Sequence, residues 1–251
     1  MTQSPGKDQR RLYRDLAWTW PIISAPETYV EESEEFARLI QQHSQIEAKT
    51  LLNMGCGGGH NDWTLKKHFR LTGVDVSEDM LALARRRNPE VTYLPGDMRT
   101  LRLGETFDAV VVFDSIDYML TEDDLRAAFE TAFLHLKPGG VFLTYQEIDP
   151  KTYHQNFVRH QVGREGDVEI VFIENSYDPD PTDTTIECTF VYLIRRGGEL
   201  QIETDRHLCG IFQTETWLTL LRETGFDVRE VLDKTPEEAT TFVCIRPLAL
   251  T

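Results

Sequence analysis

The stretch Thr50-Leu51-Leu52-Asn53-Met54-Gly55-Cys56-Gly57-Gly58-Gly59-His60 constrains the fold most. A short apolar run ends in four glycines among five residues, and a helical pattern follows. That order reads as a buried strand, a tight turn and a helix start. Glycine has no Cβ, so the turn can take positive φ and let a ligand approach the backbone. The free N–H groups at the start of the following helix face the same place. A dinucleotide-binding turn is spaced G-x-G-x-x-G. Here that third position holds His60, and the spacing that fits is G-x-G-x-G, from Gly55, Gly57 and Gly59.

The 251 residues suffice for one large α/β domain, and 40% hydrophobic residues can supply its core. The 26 basic and 42 acidic side chains leave a net charge of −16. The chain shows no basic face, so neither nucleic acid nor an anionic membrane is expected as a partner. Arg85-Arg86-Arg87 and Arg195-Arg196 read as solvated surface. No apolar run approaches the ~18–20 residues of a membrane span, and the N-terminus lacks the apolar stretch of a signal peptide. The first nine residues are expected to fray. Four scattered cysteines without C-x-x-C, and histidines without ligand spacing, point to reduced thiols, a cytoplasmic protein and no metal site. The assembly is expected to be a monomer or homodimer.

Strands are expected at 50–54, 71–75, 91–94, 107–113 and 141–145, with helices at about 60–69, 78–87 and 121–136 between them. Ser77 and Thr121 stand where they can cap the second and third of these helices. Lys137-Pro138-Gly139-Gly140 reads as a helix stop. The alternation predicts a doubly wound, Rossmann-like parallel sheet with helices on both faces. The rhythm then changes: 168–177, 184–195 and 199–211 read as three strands without intervening helices, an antiparallel sheet inserted near residues 168–211. Thr214 would cap a helix ended by Gly225, and strands at 226–232 and 240–246 close the chain. Tyr153, His154, Phe157 and His160 lie in a stretch that could be a substrate helix or only packing.

Four features fall at the carboxyl ends of successive strands, the edge where open α/β sheets bind ligands. The glycine turn is first. Asp75, about twenty residues on, is placed to accept from both ribose hydroxyls of an adenosine, or to cap a turn. In Gly96-Asp97-Met98, Asp97 could accept from an adenine amino group while Met98 packs on the ring. Phe113-Asp114-Ser115-Ile116-Asp117-Tyr118 follows the fourth strand.

In order and spacing, these features and the Leu136–Gly140 turn resemble the class I S-adenosylmethionine-dependent methyltransferases. The resemblance implies a seven-stranded, mostly parallel sheet and S-adenosylmethionine as cofactor. It implies that Gly55, Cys56, Gly57 and Gly59 hold the methionine part. Asp75 would hold the ribose and Asp97 the adenine, with Val76, Met80, Gly96, Met98, Phe113, Asp114 and Ser115 beside them. Tyr13 and Tyr29 would belong to a lid. The family usually has Asp or Glu two residues before the first glycine, near the cofactor's ammonium. This chain has Asn53, an acceptor without the charge. A closer similarity is to amino-deoxysugar N-methyltransferases, through the antiparallel insertion and His207-Leu208-Cys209-Gly210-Ile211-Phe212. It implies a helical lid over 1–45, a cofactor-binding unit of 46–150 and 212–251, and a substrate-binding insertion of 151–211, all within a single structural domain.

Methyl transfer is an in-line displacement, so the protein mainly aligns donor and acceptor. An amine acceptor must first lose its proton. His207, Asp117, Tyr118 and Glu147 are the candidate proton acceptors. A sheet histidine without a catalytic role, and carboxylates that cap turns, are the plainer readings. Glu165 to Asp205 contains eleven acids and two arginines, which would favour a cationic acceptor or merely keep a face solvated. The expected activity is methylation of a small-molecule amine. The alternatives are a metabolite-binding protein without catalysis and a nicotinamide-dependent oxidoreductase.

Overall fold

The computed structural model describes residues 10–233 and 239–248. The expected frayed tail at 1–9 lies outside them. The chain enters through 3-10 turns and a short helix α1 (Trp20–Ile23), followed by α2 (Val30–His43). Strand β1 (Thr50–Met54), helix α3 (Asp62–Leu65), β2 (Arg70–Asp75), α4 (Glu78–Arg87), β3 (Thr92–Pro95), β4 (Phe107–Val112), α5 (Glu122–His135) and β5 (Leu136–Gln146) then alternate. Four strands follow: β6 (Phe157–Glu165), β7 (Val168–Tyr177), β8 (Thr185–Arg196) and β9 (Glu199–Gly210). Helix α6 (Thr214–Thr224), β10 (Asp227–Asp233) and β11 (Thr240–Ile245) end the fold.

The main sheet has seven strands in the order β10-β11-β5-β4-β1-β2-β3. Strands β1 to β5 run parallel, and β11 lies antiparallel between β5 and β10. Each residue of β4 is buried, as a strand covered on both faces requires. One apolar layer holds Phe129, Phe142, Trp217 and Phe242, and the other Phe36, Ile40, Leu51 and Phe113. Each such side chain contributes about 1.5–3 kcal/mol on burial. Ser77 caps α4 by accepting from Met80 N, and Thr121 caps α5 by accepting from Asp124 N. Among the described residues no helix is long and apolar enough to cross a membrane.

The second sheet is antiparallel, in the order β6-β7-β8-β9. It has four strands rather than three, and the 146–165 stretch supplies the fourth instead of a helix. All of β6 but Gly163 is exposed, so no burial alternation marked it in the sequence. A Cβ at Gly163 would meet the Ile22 carbonyl, so glycine is what lets α1 lie against β6. The inner face of this sheet packs Ile170, Phe172, Phe190 and Tyr192 against Leu12, Leu16 and Ile23 of the N-terminal segment.

Three local expectations change. The helix after the glycines is only Asp62–Leu65, because the chain tightens into i→i+3 bonds and Arg70 N is taken by Lys49 O at 2.8 Å to start β2. Helix α5 ends at His135, just before Lys137–Gly140 as expected, but β5 already begins at Leu136 rather than at 141, and Gly139 N bonds Arg246 O at 2.7 Å. Gln213, not Thr214, is the N-cap of α6, and the Thr214 hydroxyl lies 2.8 Å from Asp149 Oδ2.

Candidate active site

The glycine loop leaves β1 with Gly55, Gly57 and Gly59 at φ of +77°, +50° and +71°. A Cβ at Gly55 would run into the Ser115 hydroxyl, so the loop and the turn after β4 touch through this glycine. Gly57 N donates to Asp75 Oδ2 and Ser77 N to Asp75 Oδ1, both at 2.8 Å. Asp75 thereby ties the loop to the start of α4. Burial raises its carboxyl above the usual range, against the pull of those two N–H groups. A cavity of about 1500 Å³ opens here. It is bounded by the carboxyl edge of the parallel sheet, the N-terminal segment and the inner face of the antiparallel sheet.

The expected cofactor residues border this cavity in different ways, except Gly59, which packs against Asn88, Tyr93 and Ala84 behind the loop while Gly58 takes a place in the lining. Val76 is 65% exposed, whereas Met80 and Met98 are buried beneath the loop. The Cys56 thiol is buried, which pushes its pKa up. Gly96 lies under Leu101 and Val74, where a Cβ would come within 2.7 and 2.9 Å. Asp97 is held by Arg99, whose guanidinium keeps the carboxyl below its usual range. Phe113 turns into the core and stacks on Phe36 at 4.7 Å. Asp114 accepts from the Tyr145 hydroxyl at the cavity wall. Asn53 is 2% exposed; its Nδ2 donates to Asp62 Oδ1 at 2.8 Å, and its Oδ1 has no protein partner.

The N-terminal segment closes one side. Trp20 Nε1 donates to His60 Nδ1 at 3.2 Å, and the Tyr29 hydroxyl lies 2.7 Å from Ser24 Oγ. Burial and the nearby Arg87 push His60 down to about 3, so its ring is neutral. Tyr13 stands with its hydroxyl 2.8 Å from that of Tyr118. Tyr118 lies 2.6 Å from His207 Nδ1, and His207 Nε2 lies 2.7 Å from Asp205 Oδ2. Asp205 also accepts from Leu12 N at 2.7 Å. Burial raises the Asp205 carboxyl, but His207 and the backbone N–H groups outweigh it and hold it low. His207 is 0% exposed, so its imidazole meets the cavity only through Tyr118. In the tautomer that turns Nε2–H toward Asp205, Nδ1 is an acceptor for the Tyr118 hydroxyl.

Carboxylates gather beside this relay. Burial, Glu147 and Asp114 push Asp117 well above the carboxylate range, and burial, Glu147 and Glu32 push Asp114 up to about 7. Arg159 of β6 bridges Glu147 at 2.9 Å and Glu174 at 2.6 Å. Sequence reasoning missed Asp62 and Arg159, and it met Glu174 and Asp205 only as members of the acidic run from Glu165 to Asp205. Asp205 left a further signal there: in a strand, positions 205 and 207 share a face.

A parallel sheet switching direction beside β1, a glycine loop held at positive φ, an acid after β2 and an orphaned acceptor at Asn53 fit S-adenosylmethionine. They define a class I methyltransferase. The methyltransferase domain family matches residues 51–140. The dTDP-3-amino-3,4,6-trideoxy-alpha-D-glucopyranose N,N-dimethyltransferase of Streptomyces venezuelae is 32% identical over 217 residues, 86% of this chain and 90% of that protein. The crystal structure of Streptomyces venezuelae DesVI superposes with a TM-score of 0.81 at 28% identity, covering 98% of this chain and all of that one. S-adenosylmethionine-bound CalS10 from Micromonospora echinaspora, an amino pentose methyltransferase, superposes at 0.77 with 26% identity, over 87% of this chain and 91% of that one. The chain belongs to the S-adenosylmethionine-dependent methyltransferase family.

Proposed function

We propose that the chain methylates the amine of a small molecule, of the amino-sugar kind named for its relatives. The observation that carries this reading is the chamber at the Tyr118 end of the cavity. Asp114, Asp117, Glu147 and Glu174 face one arginine, Arg159, so a cationic acceptor is the ion that would balance them. Burial first, and the neighbouring carboxylates after it, raise the Asp114 and Asp117 carboxyls.

In this reading Gly55 and Gly57 receive the cofactor's amino-acid end, with Gly59 shaping the turn behind them, Asp75 the ribose and the Asp97 side the adenine. Tyr13 and Tyr29 close over them. S-adenosylmethionine supplies an electrophilic sulfonium methyl when bound. The chain's own work is to align the acceptor, exclude water and take up the ammonium proton. Tyr118 is the group of the relay that touches the acceptor, and His207 and Asp205 set its proton from behind. Asp117 is the second proton acceptor on the same wall. A metabolite-binding protein would have no use for this relay. A nicotinamide site would need the third glycine where His60 is packed against Trp20. Four buried, unpaired cysteines support a reducing, cytoplasmic setting.

Release of S-adenosylhomocysteine from a panel of primary amines and their matching alcohols tests the reading. Turnover of amines, rising with pH as the free base forms, is expected. Turnover confined to the alcohols would contradict it.

A further inference from the structure

Asn53 stands where a family acid would stand, and the structure shows what accompanies the exchange. Its Nδ2 donates to Asp62 Oδ1 at 2.8 Å, and the Tyr93 hydroxyl donates to Asp62 Oδ2 at 2.9 Å. Asn88 Nδ2 reaches Tyr93 at 3.0 Å and Gly59 O at 2.9 Å. Asp62 is 0% exposed. An ionised carboxylate only accepts, so it fixes the direction of this whole chain. The Asn53 amide must present Nδ2 to Asp62 and turn Oδ1 away. That oxygen is buried, has no partner among the described residues, and belongs to a side chain lining the cavity.

We infer that Asp62 is a positioning residue that holds the Asn53 amide oxygen toward the cofactor's ammonium, and that it supplies the missing negative charge from one hydrogen bond behind. This rests on the cavity being the S-adenosylmethionine site.

A pH signature follows. The groups facing Asp62 are Asn53 of β1, the Cys56 thiol of the loop, Lys66 after α3 and Tyr93 of β3. Burial raises Asp62, the bonds from Asn53 and Tyr93 and the charge of Lys66 draw it back, and it rests at about 6. Protonated, Asp62 would offer an O–H to the amide and let it reverse. Affinity for S-adenosylhomocysteine therefore falls as pH drops through about 6, where the ligand's own amino and carboxyl groups do not titrate.

The test is calorimetry on the full chain with two ligands, S-adenosylhomocysteine and 5′-methylthioadenosine, which lacks the amino-acid end. Asp62→Asn should bind the first about tenfold more weakly and lose the fall near pH 6, while the second stays within about threefold. Equal losses for both ligands would mean a collapsed loop, and no change in either would mean no role; each overturns the assignment. If Asp62→Asn does not fold, the exchange Asn53→Asp with Asp62→Asn keeps the same donors and acceptors. It should bind S-adenosylhomocysteine within about threefold of the unsubstituted chain. A tenfold loss with methylthioadenosine retained overturns the assignment. If the unsubstituted chain binds neither ligand, the cofactor reading itself fails.

Discussion

Asp75→Ala is expected to weaken S-adenosylhomocysteine binding by at least about a hundredfold, the cost of a lost charge-assisted contact plus two stranded N–H donors at about 1–3 kcal/mol each. The carboxylate accepts from Gly57 N and Ser77 N, so it shapes the glycine loop as well as facing the ligand. Asp75→Asn would not rescue it, because an amide turns an N–H toward one of those two donors. The seven-stranded sheet does not depend on this side chain, so the variant should stay folded with a lowered Tm. Isothermal titration beside a thermal melt reads both effects. Binding within threefold of the unsubstituted protein would remove Asp75 from the site.

Tyr118→Phe has the second large effect. It deletes the hydroxyl that lies 2.6 Å from His207 Nδ1 and 2.8 Å from the Tyr13 hydroxyl, and leaves the ring in place. Loss of a positioned proton acceptor costs about 10²-fold in kcat. S-adenosylhomocysteine affinity should stay within about threefold, since the change falls on the acceptor side. The variant should recover turnover as pH rises and the acceptor arrives as the free amine. A kcat within threefold of the unsubstituted enzyme at neutral pH would mean that Tyr118 and the His207–Asp205 pair behind it only pack.

Which of these groups were visible in the chain depends on how local their causes are. The glycine spacing was legible because positive φ is a demand of the backbone at each position, and Gly55, Gly57 and Gly59 all meet it. Asp75 was legible because one βαβ step separates it from the loop. The doubly wound sheet could be read from alternation, and β4 from an unbroken apolar run. By contrast β6 is exposed on both faces and carries no period. The helix after Gly59 stops early because Lys49 O captures Arg70 N, which no helical spacing reveals. Asp205 owes its setting to Leu12, 193 residues away in sequence, and Arg159 reaches back across twelve residues to Glu147. Asn53 could be seen as a departure from the family, but its partner Asp62 becomes a partner only once α3 folds beneath β1.

The most direct test of the account is a calorimetric titration of the unsubstituted protein with S-adenosylhomocysteine, run beside NADH. The cradle described here predicts one site with a Kd on the order of micromolar for the first ligand and no heat from the second. Binding of NADH, or silence with both ligands, would contradict the assignment of the glycine loop, Asp75 and Asn53 to the methyl donor.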